Sequence, residues 1–153
     1  MPSHDLPDDA PTLDLTPDQL DLVGRIAQSY AAAAPAGWVR IVARQECSVG
    51  EDARGIANVR VVVVETPDGL VQEDYSPPRD LHFQTGDMLR ELAAGSPTQT
   101  VVLNLVVDRD GTHRAAVTVD VPRVLVGIRD ETSSEPVHDY LERNRAELTA
   151  LLR

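Results

Sequence analysis

The apolar residues between positions 16 and 34 recur every three or four positions, which is the spacing of one face of an α-helix. Thr16, Pro17 and Gln19 suit an N-cap, a first helical turn and a capping box. Pro35 and Gly37 end the helical pattern, and Trp38 opens a strand pattern. The pattern predicts an amphipathic helix that covers a sheet through Leu20, Val23, Ile26, Ala27, Tyr30 and Ala34.

Alternating and β-branched apolar runs predict five strands after this helix. They span residues 38–47, 59–64, 70–75, 98–107 and 112–121. Two hairpin turns are marked by Pro67-Asp68-Gly69 and by Asp108-Arg109-Asp110-Gly111. Val124 to Ile128 fits either a further short strand or a packed loop, and both remain open. Short hairpins between neighbouring strands predict an antiparallel sheet.

Two more helices complete the predicted fold. Thr85 caps a short middle helix that Gly95 ends, and Ser134 and Pro136 open a C-terminal helix. The predicted fold class is α+β, an antiparallel sheet of about five to six strands packed with N-terminal and C-terminal helices and the short middle helix. The side chains expected to be buried are Trp38, Val61, Val63, Leu103, Leu105, Leu141 and Leu148.

Residues 1–15 differ in composition from the rest of the chain. They include three prolines and four aspartates and offer little to bury, so they predict a disordered acidic tail. The tail fits either a solubilising arm or an arm that becomes ordered on a partner. Residues 16–153 have an ordinary length for a single α+β domain.

The charge composition narrows the classes of partner. The chain has 25 acidic residues against 14 basic ones, all arginine, and a net charge of −11. This balance argues against a nucleic-acid binder and is compatible with a basic protein partner. No apolar run is long enough to cross a membrane, and the N-terminus lacks a signal-peptide pattern, so we predict a cytoplasmic protein. The single cysteine, Cys47, excludes an internal disulfide.

No residue spacing in the sequence is typical of catalysis. The four histidines form no pair with metal-ligand spacing, and no glycine-rich phosphate loop is present. We therefore predict no catalytic residues, no metal, no cofactor and no enzymatic activity. Asp80 and His82 fit either an acid–base pair or a solvated loop pair. The alternative function is accordingly a small ligand-binding or enzyme domain with a pocket near Tyr75, Asp80 and His82.

The order of these landmarks resembles the YezG-like immunity proteins of bacterial polymorphic-toxin systems. The matching segments are residues 26–30, Pro35-Ala36-Gly37-Trp38, Pro67-Asp68-Gly69, Asp74-Tyr75-Ser76, residues 87–92, residues 101–111 and Tyr140-Leu141. The resemblance covers about residues 16 to 152 in outline. It implies a one-domain cytoplasmic α+β protein that binds and inactivates a secreted toxin, often a nuclease.

An acidic hairpin is the predicted contact surface for such a toxin. An enzyme that acts on an anionic substrate has a basic active-site cleft, and an acidic surface would both block and attract it. The residues concerned are Glu65, Asp68, Glu73 and Asp74. A solvated hairpin face without a partner is the other interpretation of the same cluster.

Overall fold

The computed structural model describes residues 11–130, 132, 133, 137 and 139–153. Three α-helices, five strands and one 3₁₀ turn lie within them. Their bounds are α1 Pro17–Ala32, β1 Trp38–Val49, β2 Arg54–Thr66, β3 Gly69–Asp74, α2 His82–Ala94, β4 Thr100–Asp108, β5 His113–Val119, the 3₁₀ turn Val124–Val126 and α3 Tyr140–Ala150.

The five strands form one sheet in the order β3-β2-β1-β4-β5, and every neighbouring pair is antiparallel. The hairpins β2–β3 and β4–β5 turn where the sequence predicts, with Gly69 and Gly111 in the positive-φ region. The predicted α+β class, with an antiparallel sheet and three helices, is confirmed.

Helices cover both faces of the sheet. One core lies beneath α1 and α2 and includes Val23, Ile26, Ile41, Leu103 and Leu105. The second core lies beneath α3, where Val61 and Val63 meet Tyr140, Leu141 and Leu148. Because consecutive side chains of a strand point to opposite faces, the valine run of β2 supplies both cores. Of the seven residues predicted to be buried, all but Trp38 are at most 7% exposed.

Trp38 is only partly buried, at the margin of the α1-side core. It is the first residue of β1, and the C-terminal end of α1, which precedes it in the chain, consists of small alanines. A β-bulge follows it, because Trp38 pairs with Val64 whereas Arg40 pairs with Val63. The bulge places Val39 and Arg40 together on the α3 side of the sheet, which interrupts strict alternation.

Arg40 is the largest fully buried side chain, with only 2% of its surface exposed. Its guanidinium forms a two-pronged pair with Asp108, in which Nη2 donates to Oδ2 at 3.1 Å. Its Nη1 donates to the Tyr140 hydroxyl at 2.9 Å and to Glu147 at 3.0 Å. These bonds fasten α3 to the central strand.

The N-terminal boundary of the domain differs from the prediction. Residues 11–15, assigned to the disordered tail, lie against β5, where the Leu13 N–H donates to the Val117 carbonyl and Thr12 bridges Thr118. Leu13 and Leu15 also pack on the α1-side core. Their apolar side chains explain why this part of the segment is folded. The remainder of the predicted tail, residues 1–10, lies outside the described residues.

The structure changes the predicted start of α2 and decides the conformation of residues 124–126. Helix α2 begins at His82, one turn before Thr85, whose hydroxyl donates to the Leu81 carbonyl inside the helix instead of capping it. Val124–Val126 form a 3₁₀ turn rather than a strand. Ser134 and Pro136, expected to open the last helix, lie outside the described residues.

We expect Arg40→Ala to lower the free energy of unfolding by about 3–5 kcal/mol, because it removes the buried guanidinium that pairs with Asp108 and donates to the Tyr140 hydroxyl. Arg25→Ala is the matched control, since it removes an exposed pair with Asp21 at 3.1 Å and should cost below about 0.5 kcal/mol. Urea melts of the two variants measure both losses in the free energy of unfolding. Equal losses in the two variants would show that the Arg40 bonds do not hold α3.

We expect Gly37→Ala to be more damaging than Gly111→Ala. Both glycines have positive φ, +78° and +92°, so each alanine costs on the order of 1 kcal/mol of backbone strain. At Gly37 a Cβ would also lie 2.8 Å from the Glu65 carbonyl oxygen, whereas no heavy atom lies within 4 Å at Gly111. Thermal melts of the two variants that coincide would contradict this close approach.

Candidate functional site

A cavity of about 160 Å³ lies between α1, α2 and the strands β1 and β2, and the connection from β3 to α2 forms its outer wall. Its floor is made by the buried Ile26, Tyr30, Gln45 and Leu89. Polar residues surround its opening: Ser29, Asn58, Arg60, Ser76, Arg79 and His82.

The three residues of the alternative prediction are only partly brought together here. His82 lines the cavity as the first residue of α2. Tyr75 is buried behind the wall, where its hydroxyl donates to the Tyr30 carbonyl at 2.7 Å and its ring meets that of Tyr30 edge-on at 5.9 Å. Asp80 accepts a hydrogen bond from Ser29 Oγ at 3.1 Å. No hydrogen bond joins Asp80 and His82 within the described residues.

The residues that give the cavity its polar character were not singled out from the sequence. Arg60 Nε donates to the Tyr30 hydroxyl at 3.0 Å, and Gln45 Nε2 lies 3.5 Å from the same oxygen. Gln45 interrupts the otherwise apolar face that Ile41, Ala43 and Cys47 form on β1. A polar residue at a core-facing position needs a polar partner, so this interruption in the sequence could have indicated a polar site next to β1.

Burial controls the ionisation of the two tyrosines beside the cavity. Burial raises the pKa of Tyr30 above 10.0, although the charge and hydrogen bond of Arg60 oppose the shift. Burial also raises the pKa of Tyr75. Both phenols are therefore neutral at physiological pH, and the Tyr30 hydroxyl keeps its proton while it accepts from Arg60.

The acidic hairpin is the second candidate surface. Glu65, Asp68, Glu73 and Asp74 are all exposed, and their carboxylates make no ion pair or hydrogen bond within the described residues. Glu73 and Asp74 lie on β3, the strand at one edge of the sheet, Asp68 lies in the turn before it, and Glu65 lies on β2 opposite Leu70. The pairing of Asp74 with Val61 places it on the α3 side, and that of Glu73 with Val62 places it on the other. The carboxylates thus frame the edge strand from both faces.

Other chemical features add no further site. Within the described ranges, no group of three or more His, Cys, Asp or Glu side chains is placed to hold a metal ion. Cys47 is buried in the α1-side core, and burial raises the pKa of its thiol. None of the helices in the described part of the chain has the length and apolar character needed to cross a bilayer.

Comparison of this chain with protein-family models and with curated proteins found no match. The geometry of the cavity and of the hairpin therefore carries the functional argument.

We expect the stability of the protein to fall as pH rises above about 10, because the unfolded chain then ionises tyrosines that the folded state holds neutral. The stability contributed by neutral Tyr30 and Tyr75 is complete below that pH and is lost above it. Urea midpoints measured from about pH 9 to 11 should decline less steeply for Tyr75→Phe than for the unsubstituted protein. Parallel declines would show that the Tyr75 phenol ionises as freely in the folded state.

Proposed function

We propose that this chain is a non-catalytic immunity protein that binds and neutralises a cognate secreted bacterial toxin in the cytoplasm of the producing cell. The observation that carries the proposal is the β2–β3 hairpin at the edge of the sheet, which has four exposed carboxylates without a partner within the described residues. The resemblance of the Pro35–Trp38 junction and the later landmarks to YezG-like proteins supports the same function. A nuclease is the toxin class that best fits an acidic inhibitor.

The acidic edge has the charge and the backbone that such an inhibitor needs. A toxin cleft that binds an anionic substrate is basic, so the net charge of −11 attracts it and the carboxylates of β3 compete with the substrate. The outward N–H and C=O groups of an edge strand also offer hydrogen bonds to a partner. Association should then exceed the ~10⁵–10⁶ M⁻¹s⁻¹ of a pair without electrostatic attraction.

The alternative function, a small ligand-binding or enzyme domain, has one supporting observation. The cavity beside His82 is of a size to admit a small molecule. Asp80 is bonded to Ser29 instead of His82, so the geometry favours ligand binding over acid–base catalysis.

Neutralising the hairpin tests the immunity proposal. In the triple variant Asp68→Asn, Glu73→Gln and Asp74→Asn, we expect association with the cognate toxin domain to slow about tenfold at low salt. The salt dependence of the rate should flatten, because fewer charges attract the partner, while the melting temperature barely changes. Stopped-flow binding and survival of cells that express the toxin measure the effect.

The matched control carries the same change in charge on other surfaces. Asp14→Asn, Glu51→Gln and Glu91→Gln neutralise three exposed carboxylates outside β3. This variant should retain most of the association rate and should protect cells. If both triple variants bind alike in low and high salt, β3 is not the contact surface; if the unsubstituted chain neither binds nor protects, the immunity function is wrong.

A further inference from the structure

The cavity beside α2 is lined by arginines in an otherwise acidic chain. Its wall contains Arg60 and Arg79 but no aspartate or glutamate, in a chain with 25 acidic residues and 14 arginines. Asp80 lies beside the wall, where it accepts a hydrogen bond from Ser29 at 3.1 Å. An anion that enters the cavity therefore meets two guanidinium groups, with one carboxylate at the side of Ser29.

Arg60 has donors to spare for such an anion. Its Nε is bonded to the Tyr30 hydroxyl, and this bond fixes the guanidinium at the cavity wall. The two terminal nitrogens make no hydrogen bond within the described residues. A guanidinium in this state can bind a carboxylate through two parallel N–H···O bonds.

The floor of the cavity is largely apolar. Ile26 and Leu89 form it together with Tyr30. Gln45 also contributes to the floor, but its Oε1 is sealed from solvent, so a ligand in the cavity does not reach that oxygen.

We propose that this cavity binds a small carboxylic acid that has an apolar body. The carboxylate is held by Arg60, with Arg79 and His82 at the opening. A volume of about 160 Å³ matches one ring-sized body, since a cavity of about 150 Å³ holds benzene. The site builds on the ligand-binding alternative and does not depend on toxin binding, because β3 contributes no residue to its lining.

The probes are 4-hydroxybenzoate, benzoate and the neutral 4-hydroxybenzamide, each added to the full chain. We expect 4-hydroxybenzoate to bind with a dissociation constant of about 1 mM or tighter, and the neutral amide to bind at least about tenfold more weakly. Benzoate should bind about as tightly as 4-hydroxybenzoate, because it keeps the carboxylate that Arg60 holds. Titration calorimetry and amide chemical-shift changes at Tyr30, Gln45 and Leu89 report binding at this place.

Three variants separate the roles of the residues. Arg60→Gln should weaken the binding of 4-hydroxybenzoate at least about tenfold. Arg54→Gln, the same change on the same strand outside the cavity, should leave that binding unchanged. Arg79→Gln should weaken the binding of both acids less than Arg60→Gln does, because Arg79 lies at the opening, and this variant keeps the test valid if Arg60→Gln does not fold. The triple hairpin variant should bind the acid normally.

Failure of both acids to shift the cavity amides at about 10 mM overturns the proposal, as does equal binding of the acid and the neutral amide. Binding that survives in folded Arg60→Gln places the acid elsewhere and also overturns it. The immunity function is measured separately by toxin association, so either proposal can fail without the other.

Discussion

The interior of this protein depends on charged side chains of its central strand, because β1 is covered on both faces yet has Arg40, Arg44 and Glu46 buried on one of them. A buried charge is tolerated only where hydrogen bonds or opposite charges replace water. The partners come from later in the chain. Asp108 and α3 pair with Arg40, and Glu46 accepts from the backbone N–H groups of residues 123–125. Charge as well as apolar contact therefore holds the C-terminal third against the sheet.

The two faces of β1 consequently use polar groups for different purposes. Burial lowers the pKa of Arg44, and only the charges of Glu46 and Asp120, each nearly 4 Å away, oppose the shift. On the opposite face Gln45 is isolated in an apolar core and has no charged residue of its own strand beside it. The α3 side needs its polar groups in order to fold, whereas the polar groups beside α1 border a cavity. This contrast makes the α1 side the better place for a ligand.

Periodicity was sufficient to predict the order of elements, the two hairpins and six of the seven core residues, because these depend on local patterns that tertiary contacts reinforce. Periodicity could not predict the bulge at Val39 and Arg40, because two adjacent residues share one face of the sheet there. The start of α2 at His82 was missed because Thr85, a good cap in isolation, bonds within the helix. The acidic residues of β3 were visible in the sequence. The cavity was not, because Tyr30, Gln45 and Arg60 come from three elements that only the fold brings together.

The two edges of the sheet differ, because a backbone segment covers one edge and exposed carboxylates border the other. The cavity lies close to the edge that has the carboxylates. Residues 11–13 close the edge at β5 with backbone hydrogen bonds, while β3 ends the sheet with exposed carboxylates. Charges on an open edge oppose pairing with a second copy of the same chain, because like carboxylates would meet, and they leave the edge available to a basic partner. Just beyond β3, the Tyr75 N–H donates to the Arg60 carbonyl, whereas the Arg60 side chain forms the cavity wall. Under the two proposals, a basic protein surface and a small anion would therefore bind at neighbouring but separate places.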